Sequence, residues 1–498
     1  MRSRFDLHKP PEFYHEACAH PDVDIWCATM HCELDSLTDR HAFEPADLPV
    51  GRKAIGVRWV YAYKYHPNGS IIRGKEKAHL VAQGFSQQPE DFGETYALVA
   101  KMISIRIILA FAAANDLKIM ASDVKTAFLH CKLHSEIYCK QIPGHPLDDS
   151  KKVLRILVAL YGLRQSAYEF YTLLLECFAI LGMHHCEVDH AIFSGTWTVP
   201  PHPLIPALSS NAPLFVIIPV HVDDGLIVCN SLPLYNWIIM EAELQKSLEI
   251  IDMGPASLYL GNHITRDRSR RKLWLSQKSY CVDLLHTWNL SNCMPASTPM
   301  TTKPYLLEPM PNALPEIADD DIKPLFQKLV SSLIYLAICT RPDISYAAMS
   351  LGQFNATPSR SHLVAAKRVL RYIAGTVDLA LEFNFDGGVV PATVGGFIRN
   401  CAIYDVDWAS DKSDRRSISG YCFFFMNSLV SWSAVKQKTI SLSSTEAEYY
   451  YMTHAIKEAL WMHLFLTLHS FPFPRPFPLL SDNQSACALQ FRALHECG

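Results

Sequence analysis

The sequence lacks three features that would classify it directly: an excess of charge of one sign, paired cysteines, and long apolar runs. Its 498 residues carry 45 Lys and Arg against 49 Asp and Glu, a net charge of −4, which excludes a uniformly basic nucleic-acid coat but allows a local basic channel. The 15 cysteines contain no Cys-x-x-Cys pair, so a reducing, intracellular compartment is expected rather than a disulfide framework or zinc site. Charges or prolines break the apolar stretches, and residues 1–11 hold no secretory-type run, so no membrane partner is expected.

The composition supports packed cores, because 49% of the residues are hydrophobic and 19% are charged. The length corresponds to roughly three domains of ~150 residues. Residues 1–42 are polar and rich in His and Cys, and we interpret them as a poorly defined lead-in. Six prolines and three consecutive aspartates between residues 299 and 324 predict a linker. Apolar periodicity predicts helices over most of residues 325–376.

Two adjacent acidic residues, Asp223 and Asp224, interrupt an apolar run from Phe215 to Val228. The pattern predicts a β-hairpin with both carboxylates near its tip. Neighbouring like charges repel unless a cation lies between them, and hard carboxylate oxygens suit Mg²⁺. The alternative is an ordinary hairpin turn at Asp224–Gly225, since Asp-Gly is a common turn sequence. This stretch alone leaves both interpretations open.

A third acidic residue, Asp123, lies in a strand predicted from Ile119 to Leu129, which follows a helix predicted over residues 99–117. One carboxylate on a strand and two at a nearby hairpin tip can bracket two metal ions. Such ions activate a primer 3′-oxygen, bind an incoming triphosphate and stabilise in-line phosphoryl transfer. The three residues together therefore indicate nucleotidyl transfer.

Two further hairpins are predicted outside this region. Residues 55–64 alternate apolar and polar side chains before a turn signal at Pro67–Gly69, and Ile71–Ile72 would restart the strand. Residues 258–275 form the other hairpin, with a strongly basic tip at residues 266–272. A basic tip is more often a solvated loop than a phosphate contact. The proline-rich residues 197–213 predict an exposed loop.

A series of short motifs follows through the chain: Lys77–Gln87, Glu94–Ala97, Asp123–Leu129, Leu160–Ser166, Val222–Asp224, Tyr259–Gly261, Thr340–Ile344, Asp405–Ala409, Arg415–Ser417, Gly420–Tyr421, Ser443–Tyr449 and Asp482–Asn483. In this order they resemble the reverse transcriptase–RNase H part of copia-type LTR retrotransposon polyproteins. The resemblance covers roughly residues 43 to 490. So many ordered motifs make chance agreement negligible, although each motif alone is weak.

The resemblance implies an α+β fold. It places a right-hand polymerase (fingers, palm and start of the thumb) at residues 43–298, a helical connection at 325–388, and an RNase H-like α/β domain at 389–498. In the palm, Asp123, Asp223 and Asp224 would bind Mg²⁺, with Mn²⁺ as an alternative. The implied partners are an RNA template, a DNA primer and dNTPs. The implied location is the cytoplasm, in a virus-like particle, or the nucleus, and the oligomeric state stays open.

Three further residues occupy positions that the resemblance assigns to substrate binding. Phe128 would be an aromatic steric gate against a ribose 2′-OH, and ordinary core packing is the alternative. Lys77 would lie near the triphosphate in the fingers, and a charge-alternating surface strand is the alternative. Gln165 belongs to a segment that would open the helix lining the template and the nascent base pair.

The C-terminal part resembles RNase H, with Asp405, Glu448 and Asp482 as carboxylates for two-metal hydrolysis of an RNA strand. Glu446 is the weaker candidate for the second position. Ser443-x-x-Glu446 is also a capping-box sequence, and both interpretations can hold if the cap starts the helix that presents Glu448. The family's later residues have no counterpart after Asp482, so we expect weak or absent RNase H activity.

Several positions depart from the family pattern. His79 stands where the family has Arg, which predicts weaker triphosphate binding, because His is not permanently charged. Leu98 replaces a Pro, and Ala167–Tyr168 replace Pro-Arg. Cys131 replaces a Gly and would be strained if its turn required positive φ. The alternative function is therefore a catalytically inactive remnant that keeps the fold and binds nucleic acid.

Overall fold

The computed structural model describes residues 9–63, 71–96, 99–145, 152–203, 205–208, 212–240, 245, 247–301, 322–384, 400–411, 414–471, 477–483 and 485. The fold is mixed α+β. Within these ranges the helices are α1 Tyr14–Ala19, α2 Val23–Asp39, α3 Met102–Ala114, α4 Ser166–Ile180, α5 Leu232–Met240, α6 Lys278–Thr287, α7 Ile322–Cys339, α8 Ser345–Gly352, α9 Arg360–Gly375 and α10 Ser444–Leu468.

The strands form five sheets in the described part of the chain. Their bounds are β1 Phe43–Ala46, β2 Val57–Ala62, β3 Lys77–Ala82, β4 Lys118–Val124, β5 Lys132–Cys139, β6 Val153–Val158, β7 His184–Cys186, β8 Asp189–Trp197, β9 Leu214–His221, β10 Asp224–Cys229, β11 Ile250–Pro255, β12 Leu258–Tyr259, β13 Asn262–Asp267, β14 Lys272–Ser276, β15 Leu381–Asn384, β16 Cys401–Asp407, β17 Ile418–Phe425, β18 Ser428–Lys436 and β19 Leu479–Leu480.

The central sheet has six antiparallel strands in the order β11-β4-β10-β9-β8-β7. Alternate residues of β9 and β10 point to opposite faces. Ile217 and Val228 belong to the core that contains α3, whereas Val216 and Ile227 belong to the core that contains α4 and α5. Helices therefore cover both faces, which explains the unbroken apolar run around Asp223 and Asp224.

The N-terminal region is more ordered than the sequence predicted. The predicted lead-in contains α1 and α2, and α2 packs on β3. Trp26 is fully buried, with its ring centroid 5.3 Å from that of Tyr61. The predicted hairpin pairs β2 with β3, so the partner strand lies at residues 77–82 rather than at 71–72. The turn signal at residues 67–69 lies outside the described residues.

The connection predicted to be helical at residues 325–388 contains α7, α8 and α9, with α6 in the same core, but it ends in the strand β15, which pairs with β14 and was not predicted. Helix α7 begins at Ile322, inside the predicted linker, and residues 302–321 of that linker lie outside the described ranges. Contrary to expectation, α7 is long and apolar enough to pass as a membrane span by length and composition. Core helices pass the same test, and Phe326, Leu329 and Leu333 of α7 are fully buried.

The basic tip of the β13–β14 hairpin contacts the C-terminal end of α3. Arg266 donates hydrogen bonds to the carbonyl oxygens of Leu117 and Ala112, the latter at 3.2 Å. Arg268 binds both carboxylate oxygens of Asp116 at 2.7 Å. Cations near the last turn of a helix satisfy its free carbonyls and complement its dipole. The arginines therefore serve an internal contact that neither sequence interpretation included.

The C-terminal sheet has the order β18-β17-β16-β19, with β19 parallel to β16 and α10 packed on β16. This unit shares a core with α3. At the junction, the buried Arg106 of α3 donates hydrogen bonds to the carbonyl oxygens of Val430 (2.6 Å), Ile338 (2.8 Å) and Cys339 (3.0 Å). Its guanidinium also lies 4.0 Å from the ring centroid of Trp432. One side chain thus joins α3, α7 and β18.

Candidate active site

The acidic hairpin is confirmed, but its turn is not at Asp224–Gly225. His221 pairs with Asp224, so Val222 and Asp223 form the two-residue turn and Gly225 lies within β10. Val222 has φ of 60°, which is rare for a β-branched residue. Gly225 is needed for a different reason, because a Cβ there would lie 2.6 Å from the Ser122 hydroxyl oxygen. Gly225 of the Asp-Gly sequence therefore allows close packing of two strands and does not form the turn.

Strand β4 brings Asp123 directly opposite Asp224 in the antiparallel ladder. Directly opposed residues project from the same face of the sheet. The Asp223 carbonyl accepts a hydrogen bond of 3.0 Å from the Val124 amide, which fixes the turn against β4. Partial burial, and then the charges of Asp223 and Asp123, raise the pKa of Asp224. The structure thus gathers the three predicted carboxylates at one end of the central sheet.

Tyr161 is a site residue that the sequence analysis did not single out. Its pKa is raised by burial and by the charges of Asp223, Glu33 and Asp123. Its ring packs edge-on against Phe128, with centroids 4.7 Å apart. The only signal in the sequence was an aromatic residue before a glycine, which does not reveal a long-range contact with a carboxylate.

The two glycines Gly162 and Gly84 bring the segment before α4 against the end of β3. Gly162 has φ of 93°, and a Cβ on it would lie 2.1 Å from the Ala82 carbonyl oxygen. A Cβ on Gly84 would lie equally close to the Gly162 carbonyl oxygen, which accepts a 3.1 Å hydrogen bond from the Gly84 amide. Helix α4 begins only at Ser166. Gly162 therefore permits a close backbone contact and does not start the helix.

Phe128 lies near the carboxylates but inside the core. The predicted strand ends at Val124, because Thr126 adopts φ of 49° and a short 3₁₀ turn follows at Ala127–His130. Phe128 on that turn is 7% exposed and packs between Tyr161 and Phe170. Its proximity to Tyr161 is compatible with either sequence interpretation.

Gln165 and Lys77 lie in contrasting environments. Gln165 is 2% exposed, accepts a 3.0 Å hydrogen bond from Gln87 and donates one of 3.1 Å to the Asp91 carbonyl. Lys77 is exposed at the start of β3, opposite Ala62. The Gln165 side chain therefore stabilises the packing of α4 against residues 87–91, whereas the Lys77 side chain faces solvent.

The unusual residues have specific local environments. The His79 ring nitrogen Nδ1 lies 3.5 Å from a Glu33 carboxylate oxygen, so α2 supplies an acid beside the position where the family has Arg. Cys131 has φ of −96°, and the strain considered for it is absent. The Tyr168 ring packs edge-on against Tyr96, with centroids 5.3 Å apart. Leu98 lies outside the described residues.

A second acidic cluster joins three elements of the C-terminal unit. Asp405 on β16, Glu448 on α10 and Asp482 after β19 each place a carboxylate oxygen within 4.8 Å of the other two. Among the described residues, no other group of three acidic, His or Cys side chains gathers this closely, the Asp123 group included. Within the described ranges, no Lys, Arg or His side chain forms an ion pair with any of these three carboxylates. The cluster therefore offers carboxylate oxygens whose negative charge no described cationic side chain neutralises, as a divalent-metal site requires.

The roles of Glu446 and Glu448 are distinct. The Ser443 hydroxyl accepts a 3.1 Å hydrogen bond from the Glu446 amide, and the Glu446 carboxylate accepts one of 2.7 Å from the Leu442 amide. Glu446 therefore caps α10, as the sequence pattern predicted. Glu448 is 5% exposed and accepts hydrogen bonds from Ser481 (2.7 Å) and Asn483 (3.0 Å). These two contacts, which the sequence did not predict, hold the Glu448 carboxylate toward Asp482.

The chain is similar in sequence to known proteins. A family model described as reverse transcriptase (RNA-dependent DNA polymerase) matches residues 40–302. The chain is 34% identical over 98% of its length to the retrovirus-related Pol polyprotein from transposon TNT 1-94 of Nicotiana tabacum, and 32% identical over 93% to that from transposon RE1 of Arabidopsis thaliana. It spans 35% and 29% of the lengths of these two relatives.

Among solved structures, the foamy viral protease-reverse transcriptase in complex with RNA/DNA hybrid is similar over 94% of this chain and 50% of that chain. The TM-score is 0.46 and the sequence identity is 11%.

Proposed function

We propose that this chain, which belongs to the RNA-dependent DNA polymerase (reverse transcriptase) family of copia-type retrotransposon Pol polyproteins, extends a DNA primer on an RNA template at Asp123, Asp223 and Asp224. The observation that carries this proposal is the ladder register that sets Asp123 opposite Asp224, next to the Asp223 turn. Three carboxylates from two chain segments thus lie at one end of a sheet that helices cover on both faces.

The donor set fits a divalent cation with hard ligands. Burial, and then the charges of Asp223 and Asp123, raise the pKa of Asp224, and a cation held by Asp123, Asp223 and Asp224 would relieve the repulsion among them. Mg²⁺, or Mn²⁺ in its place, would supply activation of a primer 3′-oxygen and neutralisation of triphosphate charge.

The chain's own residues position this site. The ladder between β4 and β10 fixes Asp123 and Asp224, and the charges of Asp223 and Asp123 help raise the pKa of Tyr161. Tyr161 also contacts Phe128 and lies 5.7 Å from the His79 ring. Its backbone carbonyl accepts a 2.7 Å hydrogen bond from Ala82. Tyr161 therefore links the carboxylates to the segment in which Lys77 and His79 would meet a triphosphate.

Primer extension tests the proposal. Wild-type chain, an RNA template, a DNA primer and dNTPs with Mg²⁺ or Mn²⁺ should give extension, and Asp223→Asn should reduce it at least about 100-fold. Asp283→Asn, a matched change on the exposed face of α6, should leave it unchanged. No extension by a wild-type chain that circular dichroism shows to be folded would support the inactive remnant instead.

A second function is favoured by the 4.8 Å cluster of Asp405, Glu448 and Asp482. The proposed reaction is metal-dependent cleavage of the RNA strand in an RNA–DNA hybrid. Wild-type chain should bind Mn²⁺ by calorimetry and cut the RNA strand, and Asp405→Asn should weaken both. Binding and cleavage that are unaffected by Asp405→Asn would refute this site, and cleavage by neither protein would support the sequence-based expectation of weak activity.

A further inference from the structure

A cleft of about 700 Å³ separates the start of α3 from the C-terminal unit. Residues of β17, β18 and α10 line it together with Lys101 and Ile103, which lie at the start of α3. Its volume lies within the range of ligand-binding clefts, about 300–1,000 Å³. Neither proposed reaction uses this cleft.

The cleft is positively charged although the whole chain is slightly acidic. Four lysines line it, and Glu458 is the one acidic side chain among its lining residues. Lys436 is neutralised by Asp411 and by Asp414, the latter at 3.0 Å. Lys438 and Lys457 are exposed and form no ion pair with any residue that the structure describes. Two cations therefore remain available to an anion from solution.

Lys101 adds a third cation and is held in place by the wall of the cleft. Its ammonium lies 4.8 Å from the Trp461 ring centroid and donates a 3.2 Å hydrogen bond to the Val188 carbonyl. The Trp461 indole nitrogen donates to the same carbonyl at 3.3 Å. This arrangement orients Lys101 without neutralising its charge.

Rings line the cleft along α10, and Lys457 is the one lysine of that helix among the lining residues. Tyr450, His454 and Trp461 all line the cleft, and the Tyr450 and His454 ring centroids are 5.7 Å apart. At 1.5 Å per residue, the helix spans about 16 Å from Tyr450 to Trp461. Lysines interleaved with rings are the features that hold a single strand, because phosphates meet the cations and bases stack on the rings.

The cleft and the second acidic cluster share helix α10. Tyr450 follows Glu448 by two residues on α10. Gln437, which lies between Lys436 and Lys438, donates a 2.9 Å hydrogen bond to the Ala447 carbonyl beside Glu448. The basic segment is thus attached to the start of the helix that carries Glu448.

We propose that this cleft binds single-stranded nucleic acid without sequence preference. Lys101, Lys438 and Lys457 contact successive phosphates, Tyr450 and His454 stack on bases, and the strand leads to Asp405, Glu448 and Asp482. The proposal that the strand leads to the acidic cluster rests on the proposed nuclease function. The proposal that the cleft binds a single strand does not.

Photo-crosslinking of the full chain tests the proposal. Oligo(U) RNA that carries 5-bromouridine should crosslink to the α10 peptide with Tyr450 and His454. The double variant Lys438→Glu/Lys457→Glu should lose this crosslink and bind the RNA at least about tenfold more weakly at 0.1 M salt, with the salt slope reduced by about 0.7 per lost phosphate contact. Lys328→Glu, an exposed lysine of α7 remote from the cleft lining, is the control for charge and should retain the crosslink.

The outcomes separate this proposal from the nuclease function. A crosslink on α10 that the double variant loses, with no cleavage of the RNA strand of an RNA–DNA hybrid by wild type in a parallel assay, supports the cleft and counts against the nuclease. Wild-type RNA cleavage with no crosslink on α10, or equal affinity and salt slope in wild type and double variant, overturns the cleft proposal. Circular dichroism of the double variant should match wild type, because both lysines are exposed.

Discussion

At the residue scale, the opposed carboxylates of Asp123 and Asp224 should reduce the stability of the metal-free chain. The raised pKa of Asp224 means that the folded state holds this proton more tightly than the unfolded chain, so the free energy of unfolding falls as pH rises past the ordinary Asp range. Asp224→Asn should therefore raise the free energy of unfolding at pH 7 by about 0.2–1 kcal/mol. Urea denaturation measures this change.

The difference in free energy of unfolding between Asp224→Asn and wild type should depend on pH. Below about pH 4 the wild-type carboxyl is protonated, and the advantage of Asp224→Asn should shrink there. Asp283→Asn should change stability little at either pH. A destabilised Asp224→Asn chain at pH 7 would show that repulsion does not dominate at this position.

Gly162 allows a second residue-scale prediction, because Gly51 provides a matched control. Both adopt positive φ, 93° and 87°, but a Cβ on Gly51 meets nothing within 4 Å. Gly51→Ala should cost about 1–2 kcal/mol for the left-handed conformation alone. Gly162→Ala should cost clearly more, because its Cβ also meets the Ala82 carbonyl. If chemical denaturation shows the same loss of unfolding free energy for both variants, the backbone contact between Gly162 and Ala82 relaxes freely.

Individual residues also show where sequence reasoning succeeds and fails. It singled out Asp123, Asp223 and Asp224 because the acidic pair interrupts an apolar run, and the structure sets Asp123 opposite Asp224 in the ladder. It misplaced the turn, because Gly225 satisfies the Asp-Gly turn pattern while in fact avoiding the Ser122 side chain. It missed Tyr161 because that contact joins segments 62 residues apart (223 − 161), which local patterns do not encode.

At the element scale, the contact of the β13–β14 tip with α3 predicts acid sensitivity. The hydrogen bond from Arg268 lowers the pKa of Asp116, so the stabilisation is present above the ordinary Asp pKa of about 3.9 and is lost as pH falls below it. Asp116→Asn should lower the thermal midpoint at pH 7, but not at pH 2.5. Asp35→Asn, on the exposed face of α2, should not alter the midpoint at pH 7. If Asp116→Asn lowers the thermal midpoint equally at both pH values, the effect comes from lost packing and not from the charge of Asp116.

Elements were predictable where periodicity was strong. Helix α3 was predicted to within about three residues at each end, and residues 325–376 were predicted as mostly helical without individual bounds, since their apolar positions repeat at the helical period. Helix α2 was missed, because its apolar positions are few and its stabilisation comes from burying Trp26 against Tyr61. Tertiary packing thus overrides weak local preference in the N-terminal region.

At the scale of the whole molecule, Arg106 should control the attachment of the C-terminal unit. Burial lowers its pKa to about 10, and it stays charged at neutral pH. Arg106→Met would leave the carbonyls of Val430, Ile338 and Cys339 without their donor, which should cost at least about 2 kcal/mol. Calorimetry should show the unfolding transition separating into two, as the C-terminal unit detaches first.

The control for this prediction is Arg58→Met, an exposed arginine on β2. It removes the same charge without breaking a junction and should leave the transition unchanged. A cooperative, unshifted transition in Arg106→Met would show that the shared apolar core alone holds the units together.

The junction at Arg106 also has an evolutionary consequence. Helix α3 supports the sheet that carries Asp123 and, on its other side, contributes to the core of the unit that carries Glu448. A substitution in β18 that is neutral for one reaction can therefore be lost by selection on the other. Both sets of carboxylates lie on elements of one shared core, so loss of the C-terminal unit would expose the buried surface of α3.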